Sequence, residues 1–289
     1  MANLKELRSR ITSVSSTMQI TSAMKMVSAA KLNRAQSAIE EMRPYAEKLN
    51  ELLQGLSASL DSETNSPYSN QGEVKSVLIV AISSNRGLAG AFNTNIIKTV
   101  RHLAEDSYPN QQVKILSIGK KAGDILKKTH HIQASYNDVY DDLSYDAVSE
   151  IAEELMNHFL TGKFDKIEIV YNSFKNAATQ IITTEQFLPI QPASEKEGKS
   201  MSTDYIFEPN KSEIVEELIP KSLKIQLFKA IRDSVASEHG ARMTAMHKAT
   251  DNATELRDDL KLSYNKARQA SITNEILEIV AGAEALADS

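Results

Sequence analysis

The stretch SLKIQLFKAIRDSVASEHGARMTAMHKATDNATELRDDLKLSYNKARQASITNEILEIVAGAEALA, residues 222–287, decides the fold. It contains no proline, and only Gly240 and Gly282 interrupt a sequence suited to continuous helix. At about 1.5 Å per residue, roughly 65 helical residues would reach about 100 Å, far more than a domain of this length is wide. Such a helix needs something outside a compact domain to lie against.

Part of that support is at the other end of the chain. From Asn3 to Leu56 the only proline is Pro44, and Leu4, Leu7, Ile11, Val14 and Met18 alternate steps of three and four, the spacing of a coiled-coil seam. Small residues then predominate. Ala23, Ser28, Ala29, Ala30 and Ala35, set against Ala245, Ala249, Ala253, Ala267 and Ala270, would let two helix backbones approach closely. The termini therefore read as one antiparallel pair, with the middle of the sequence as a separate globule.

Composition bounds the function. A chain of 289 residues is long enough for a real core and about two structural units. A formal charge of -5 argues against a nucleic-acid binder, which needs a basic surface. With no cysteine, disulfides, thiolate catalysis and cysteine-ligated metals are excluded. The N-terminus enters helical periodicity at once, without the apolar core of a signal peptide. The longest strongly apolar run, Val77 to Ile82, is too short to span a bilayer. These features predict a soluble protein of a reducing, cytoplasmic-type compartment.

Residues 61–72 are a polar, turn-rich connector. Beyond it, Val74–Ile82, Val113–Ile118 and Lys166–Tyr171 read as buried strands, with helical patterns at Asn93–Ala104, Lys120–Lys128 and Tyr145–Thr161. That order predicts a parallel α/β sheet with right-handed crossovers. Thr179–Phe187 reads as an added edge strand, 191–203 as a mobile loop, and Asp204–Glu208 as a last short strand before the long helix. The expected fold class is α/β: a long antiparallel coiled coil of the terminal helices, plus a central Rossmann-like domain with a mainly parallel sheet. The expected divisions are 1–60, 74–208 and 210–289.

Ser83–Asn93, SSNRGLAGAFN, follows a buried strand and opens a helix, where a Rossmann-type domain places a phosphate loop. Its glycines, Gly87 and Gly90, are three apart and no P-loop lysine follows, so a tight structural turn is the better reading. The same holds for Gly119–Gly123. The six histidines form no metal pattern, and paired acids such as Asp141–Asp142 and Asp258–Asp259 read as solvated faces. The first helix is more informative. Between Leu7 and Ile39 it carries Arg8, Arg10, Lys25, Lys31 and Arg34 and no acid, and the last helix adds Lys261, Lys266 and Arg268. An acidic protein partner suits this segment as well as a merely solvated face does.

Three blocks carry a family resemblance: Leu7–Leu32, the turn Asn85–Asn93 (NRGLAGAFN), and the C-terminal segments Ala236–Ala253 and Tyr264–Ala283, the latter containing YNKARQASITNE. Together they resemble the gamma subunit of F-type ATP synthases over the whole chain. The resemblance implies a central-stalk rotor with no catalytic site, metal or cofactor of its own. In that family the coiled coil stands inside a hexamer of alternating alpha and beta subunits. The α/β domain sits beside epsilon on the membrane ring of c subunits, proton flow turns the shaft, and each beta subunit is driven in turn through its nucleotide states. Carried over residue by residue, Arg268, Gln269, Thr273 and Glu275 match the motif that meets the beta loops, and Met24 and Lys25 match the segment by the acidic beta lever. Tyr205 and Glu208 fall in the foot facing the c-ring and epsilon. The resemblance implies membrane association only through the complex, no nucleic-acid partner and, without a transit peptide or the plastid cysteine pair, the cytoplasmic side of a bacterial inner membrane. The turn departs from the more frequent family pattern by having Asn85 and Ala89 at Asp and Cys places.

Two other readings stay open at this point. One is a nucleotide-dependent enzyme with helical arms, which predicts a ligand at the Ser83–Asn93 turn. The other is a static coiled-coil tether.

Overall fold

Every residue of Val77–Ile82 is apolar, a pattern that suits a strand covered on both faces. In the computed structural model of the chain, which describes residues 4–59, 67–69, 72–190 and 211–287, this segment is β1 (Ser76–Ile82) at the centre of a five-stranded sheet. The strand order is β3-β2-β1-β4-β5, with β2 spanning Gln112–Ile118, β3 Ile132–Tyr136, β4 Lys166–Phe174 and β5 Gln180–Leu188. The first four strands are parallel, and β5 runs antiparallel to β4 at one edge.

Alternation along the strands divides the core in two. Leu78, Val80 and Ile82 face α4 (Tyr145–Leu160) and the first part of α5 (Lys211–Ala287), where Leu155, Leu223 and Leu227 are fully or nearly fully buried. Val77, Ile79 and Ala81 face α2 (Phe92–His102) and α3 (Lys120–Leu126), packing on Ile96, Val100 and Leu126. Each fully buried aliphatic side chain contributes about 1.5–3 kcal/mol of transfer free energy, so the two layers hold the sheet firmly. α4 starts at Ser144, whose hydroxyl accepts from the Ala147 amide as an N-cap.

Strand β3 is absent from the sequence reading, which has only a loop and a helical turn there. Its five residues, IQASY, lie at the sheet edge and are at most partly buried, so they lack the apolar signature of an interior strand. Helix α5 begins at Lys211 and takes in Pro220, eleven residues ahead of the proline-free stretch's start at Ser222. α1 (Leu4–Ser59) likewise runs through Pro44. The expected loop at 191–203 and the strand at Asp204–Glu208 lie outside the described residues.

The chain falls into two compact units, Ala29–Arg242 and Met1–Ser28 with Met243–Ser289. The first contains the sheet, with Leu32, Ala35, Ile39 and Leu49 of α1 among its buried residues. The second is built from the opening of α1 and the last part of α5. Among the described residues, no helix is long and apolar enough to cross a membrane.

Candidate functional site

In the helical unit, the heptad spacing of α1 runs further than the five residues that announce it. Leu4, Leu7, Ile11, Val14, Met18, Thr21, Lys25 and Ser28 continue the three-four alternation, and each is buried or partly buried. On α5 the matching series is Met246, Thr250, Ala253, Arg257, Leu260, Tyr264 and Ala267. The register is fixed by polar contacts. Thr250 Oγ1 donates to Thr21 Oγ1 at 2.8 Å, Lys25 Nζ lies 3.4 Å from His247 Nδ1, and Arg257 reaches Met18 Sδ at 3.4 Å. As one partner's number rises the other's falls, so the pair is antiparallel. The expected small-residue seam is only partly realised: Ser28 and Ala253 are buried, whereas Ala23, Ala30 and Ala270 are exposed. The heptad, rather than the alanine content, selects the buried face.

This register places Leu4 opposite the neighbourhood of Ala267, and no described residue of α1 stands opposite the helix beyond it. From Arg268 to Ala283 every residue is exposed, including Ile272, Ile276, Leu277, Ile279 and Val280 at 48–66%. Within this stretch lie Arg268, Gln269, Thr273 and Glu275, with the Thr273 hydroxyl donating to the Gln269 carbonyl at 2.9 Å. Met24 and Lys25 are partly buried on α1, and the Met24 carbonyl accepts from Ser28. Tyr205 and Glu208 lie outside the described residues. Arg8, Arg10, Lys261 and Lys266 are exposed in the helical unit, with Arg10 paired to Glu6 at 2.8 Å. Such an exposed pair contributes at most about 1 kcal/mol. The same sequence segment holds both the polar and the apolar residues, but their exposure follows only from where the seam ends.

The turn after β1 is tied to the start of α3, to Asn93 and to Tyr140. The Lys120, Lys121 and Ala122 amides at the start of α3 donate to Asn85 Oδ1, the Ser84 carbonyl and Ser83 Oγ, each at 3.0 Å. The Ser84 amide donates to Asn93 Oδ1, and Tyr140 donates to the Ser83 carbonyl at 2.8 Å. Gly119, at φ 94°, lies so close to Ser83 that a Cβ would stand 2.0 Å from its carbonyl oxygen. Side-chain and carbonyl oxygens of the turn thus hold the start of α3, and the turn works as a structural junction. Among the described residues, no group of three or more histidines and acids could hold a metal ion.

A heptad-paired helical unit with an exposed apolar end and a parallel α/β unit in one chain are a combination with known counterparts. The model of the ATP synthase family matches residues 3–286. The chain belongs to the ATP synthase gamma family. It is 70% identical to the ATP synthase gamma chain of Christiangramia forsetii over 286 residues, and 66% identical to that of Flavobacterium johnsoniae, with 99% of each chain covered in both cases. Among solved structures it resembles a chain of the Euglena gracilis mitochondrial ATP synthase rotor in rotational state 1. That match has 26% identity and a TM-score of 0.67, over 93% of this chain and 98% of that one. A second resemblance is to a chain of the same organism's OSCP/F1/c-ring assembly in rotational state 3, with 26% identity and a TM-score of 0.72, over 98% and 94%.

As a gamma chain, the protein is a non-catalytic subunit of ATP synthase. Its departures from the more frequent family turn have local explanations. Ala89 is 2% exposed and packs with Phe92 and Ala241, a small apolar site. Asn85 donates through Nδ2 to the Asn137 carbonyl at 2.7 Å, a bond that an ionised aspartate could not make.

Proposed function

We propose that this gamma chain is the central-stalk rotor of a bacterial ATP synthase, coupling proton flow through a ring of c subunits to conformational cycling of an alpha/beta hexamer. The observation that carries the reading is the exposed apolar tip from Ile272 to Val280 beyond the end of the paired seam. A contiguous apolar surface on an unpartnered helix favours burial inside another protein, and the hexamer's central cavity supplies that environment. The likeness to chains of the Euglena gracilis rotor and OSCP/F1/c-ring assembly supports the same placement.

On this reading Met24, Lys25, Arg268, Gln269, Thr273 and Glu275 meet the alpha and beta subunits, and Tyr205 and Glu208 meet the c-ring and epsilon. The basic side chains of the shaft steer it to the acidic beta lever. The work done is differential contact energy: the shaft favours a different conformation of each beta subunit at each angle. The chain binds no cofactor or nucleic acid, and it is held at the cytoplasmic face of the inner membrane only through its partners. Its divisions are the helical segments 1–60 and 210–289 and the α/β segment 74–208. Replacing Arg268 and Gln269 with alanine is expected to impair coupled ATP synthesis or assembly of the complex, while the circular dichroism of the isolated chain stays unchanged. Normal synthesis by the doubly substituted complex would remove these residues from the contact set.

A further inference from the structure

Helix α5 is gripped at one level by two turns of the α/β unit. Gly240, Ala241 and Arg242 are consecutive, and each meets a different group. A Cβ on Gly240 would stand 3.0 Å from the Ala177 carbonyl oxygen and 3.2 Å from its Cα, so the helix lies directly on the β4–β5 turn. Ala241 is buried with Ala89 and Phe92 of the β1–α2 turn. The Arg242 guanidinium donates to the Gly87 carbonyl at 3.2 and 3.3 Å and to the Arg86 carbonyl at 3.4 Å, while Glu238, one helical turn earlier, holds it at 2.7 Å. The two charged side chains are only 9% and 12% exposed. Asp233, also buried, accepts from Ser173 at the end of β4 at 3.4 Å.

Earlier in α5 the helix packs on the sheet through Leu223, Leu227 and Ile231, with single polar bonds from Gln226 to the Gln186 carbonyl at 3.3 Å and from Arg232 to the Leu143 carbonyl at 3.0 Å but no braced guanidinium fork. Apolar burial is non-directional and resists separation better than it resists twisting about the helix axis. A guanidinium fork on two carbonyls, braced by a carboxylate, has preferred angles and opposes rotation. Arg242 is also the last residue of the α/β unit, and Met243 of the same helix begins the other. A turning force carried along α5 therefore passes through this level.

We propose that Glu238, Gly240 and Arg242 form the joint at which torque passes between the α/β unit and helix α5. The inference rests on the rotor reading. To test it, the complex carrying Arg242→Met with Glu238→Gln is reconstituted into vesicles, and ATP-driven proton uptake is measured per ATP hydrolysed. Removing both charges together leaves no unpaired buried ion, so the fold should survive. The expected result is unchanged hydrolysis with a ratio lowered about threefold or more, as the domain slips against the driven helix. Arg242→Lys keeps the cation but loses the fork and should give an intermediate ratio. If the double variant does not assemble, Arg242→Lys decides by itself. A wild-type ratio in an assembled variant would overturn the joint. A native complex that hydrolyses ATP without any proton uptake would overturn the rotor reading, and the joint with it.

Discussion

Asn85 ties three segments together with one side chain: its Oδ1 accepts from the Lys120 amide and its Nδ2 donates to the Asn137 carbonyl. Asn85→Asp keeps the first bond and loses the second, whereas Asn85→Ala loses both. Each of these partly exposed bonds contributes about 0.5–1.5 kcal/mol, so thermal unfolding should rank wild type above the aspartate variant and that above the alanine variant. An aspartate variant as stable as wild type would mean that the Asn137 carbonyl finds another donor. His239 offers a second test at this scale. Burial, with Arg242 and Lys31 adding to it, holds its pKa down to about 4, below the value of about 6.5 expected in the unfolded chain. The unfolded chain binds the proton first, so this contribution to stability is present above about pH 6.5 and is lost as pH falls toward 4. Asp233 and Glu238, whose carboxyl pKa values burial raises, act in the opposite direction and gain on acidification. The effect is therefore read as a difference: between pH 6.5 and 4, wild type should lose stability relative to His239→Gln. Parallel denaturation curves across that range would contradict it.

At the scale of elements, a coiled-coil seam is legible because one helix's periodicity is written in its own sequence, and Leu4 to Met18 suffice to start it. The continuation was harder to see. Thr21, Lys25 and Ser28 occupy seam positions without being apolar, and their place is set by partners more than 200 residues away, such as Thr250 and His247. Alanine content was a poor guide for the same reason: Ala23 and Ala30 are small yet off the seam. The buried strands β1, β2 and β4 announce themselves through continuous apolar runs, while β3 shows that an edge strand needs little apolar character. The turn after β1 is legible as structural from its glycine spacing, but the groups that hold it come from α3, from Asn137 just beyond β3 and from α5, which no local pattern names. The C-terminal tip carries a prediction of its own. Ile276→Ser with Leu277→Ser should leave the isolated chain's unfolding within about 0.5 kcal/mol of wild type, because both side chains are already exposed. It should weaken retention of the chain by the hexamer, measured as dissociation on dilution; undiminished retention would argue that the tip is not buried there.

For the whole molecule, the family assignment makes this chain a non-catalytic subunit. The first-strand turn anchors the start of α3, and the shaft has a fixed register with an apolar end. What separates a rotor from a static tether is motion relative to the hexamer, and the absence of cysteine makes a single label straightforward. The most direct measurement is to place one cysteine at Lys127, an exposed position on the α/β unit, attach a bead, fix the hexamer to a surface and add ATP. The rotor account predicts repeated stepwise turning in one direction that stops when ATP is removed. A bead that stays at one angle while the same complexes hydrolyse ATP would contradict it and establish a tether.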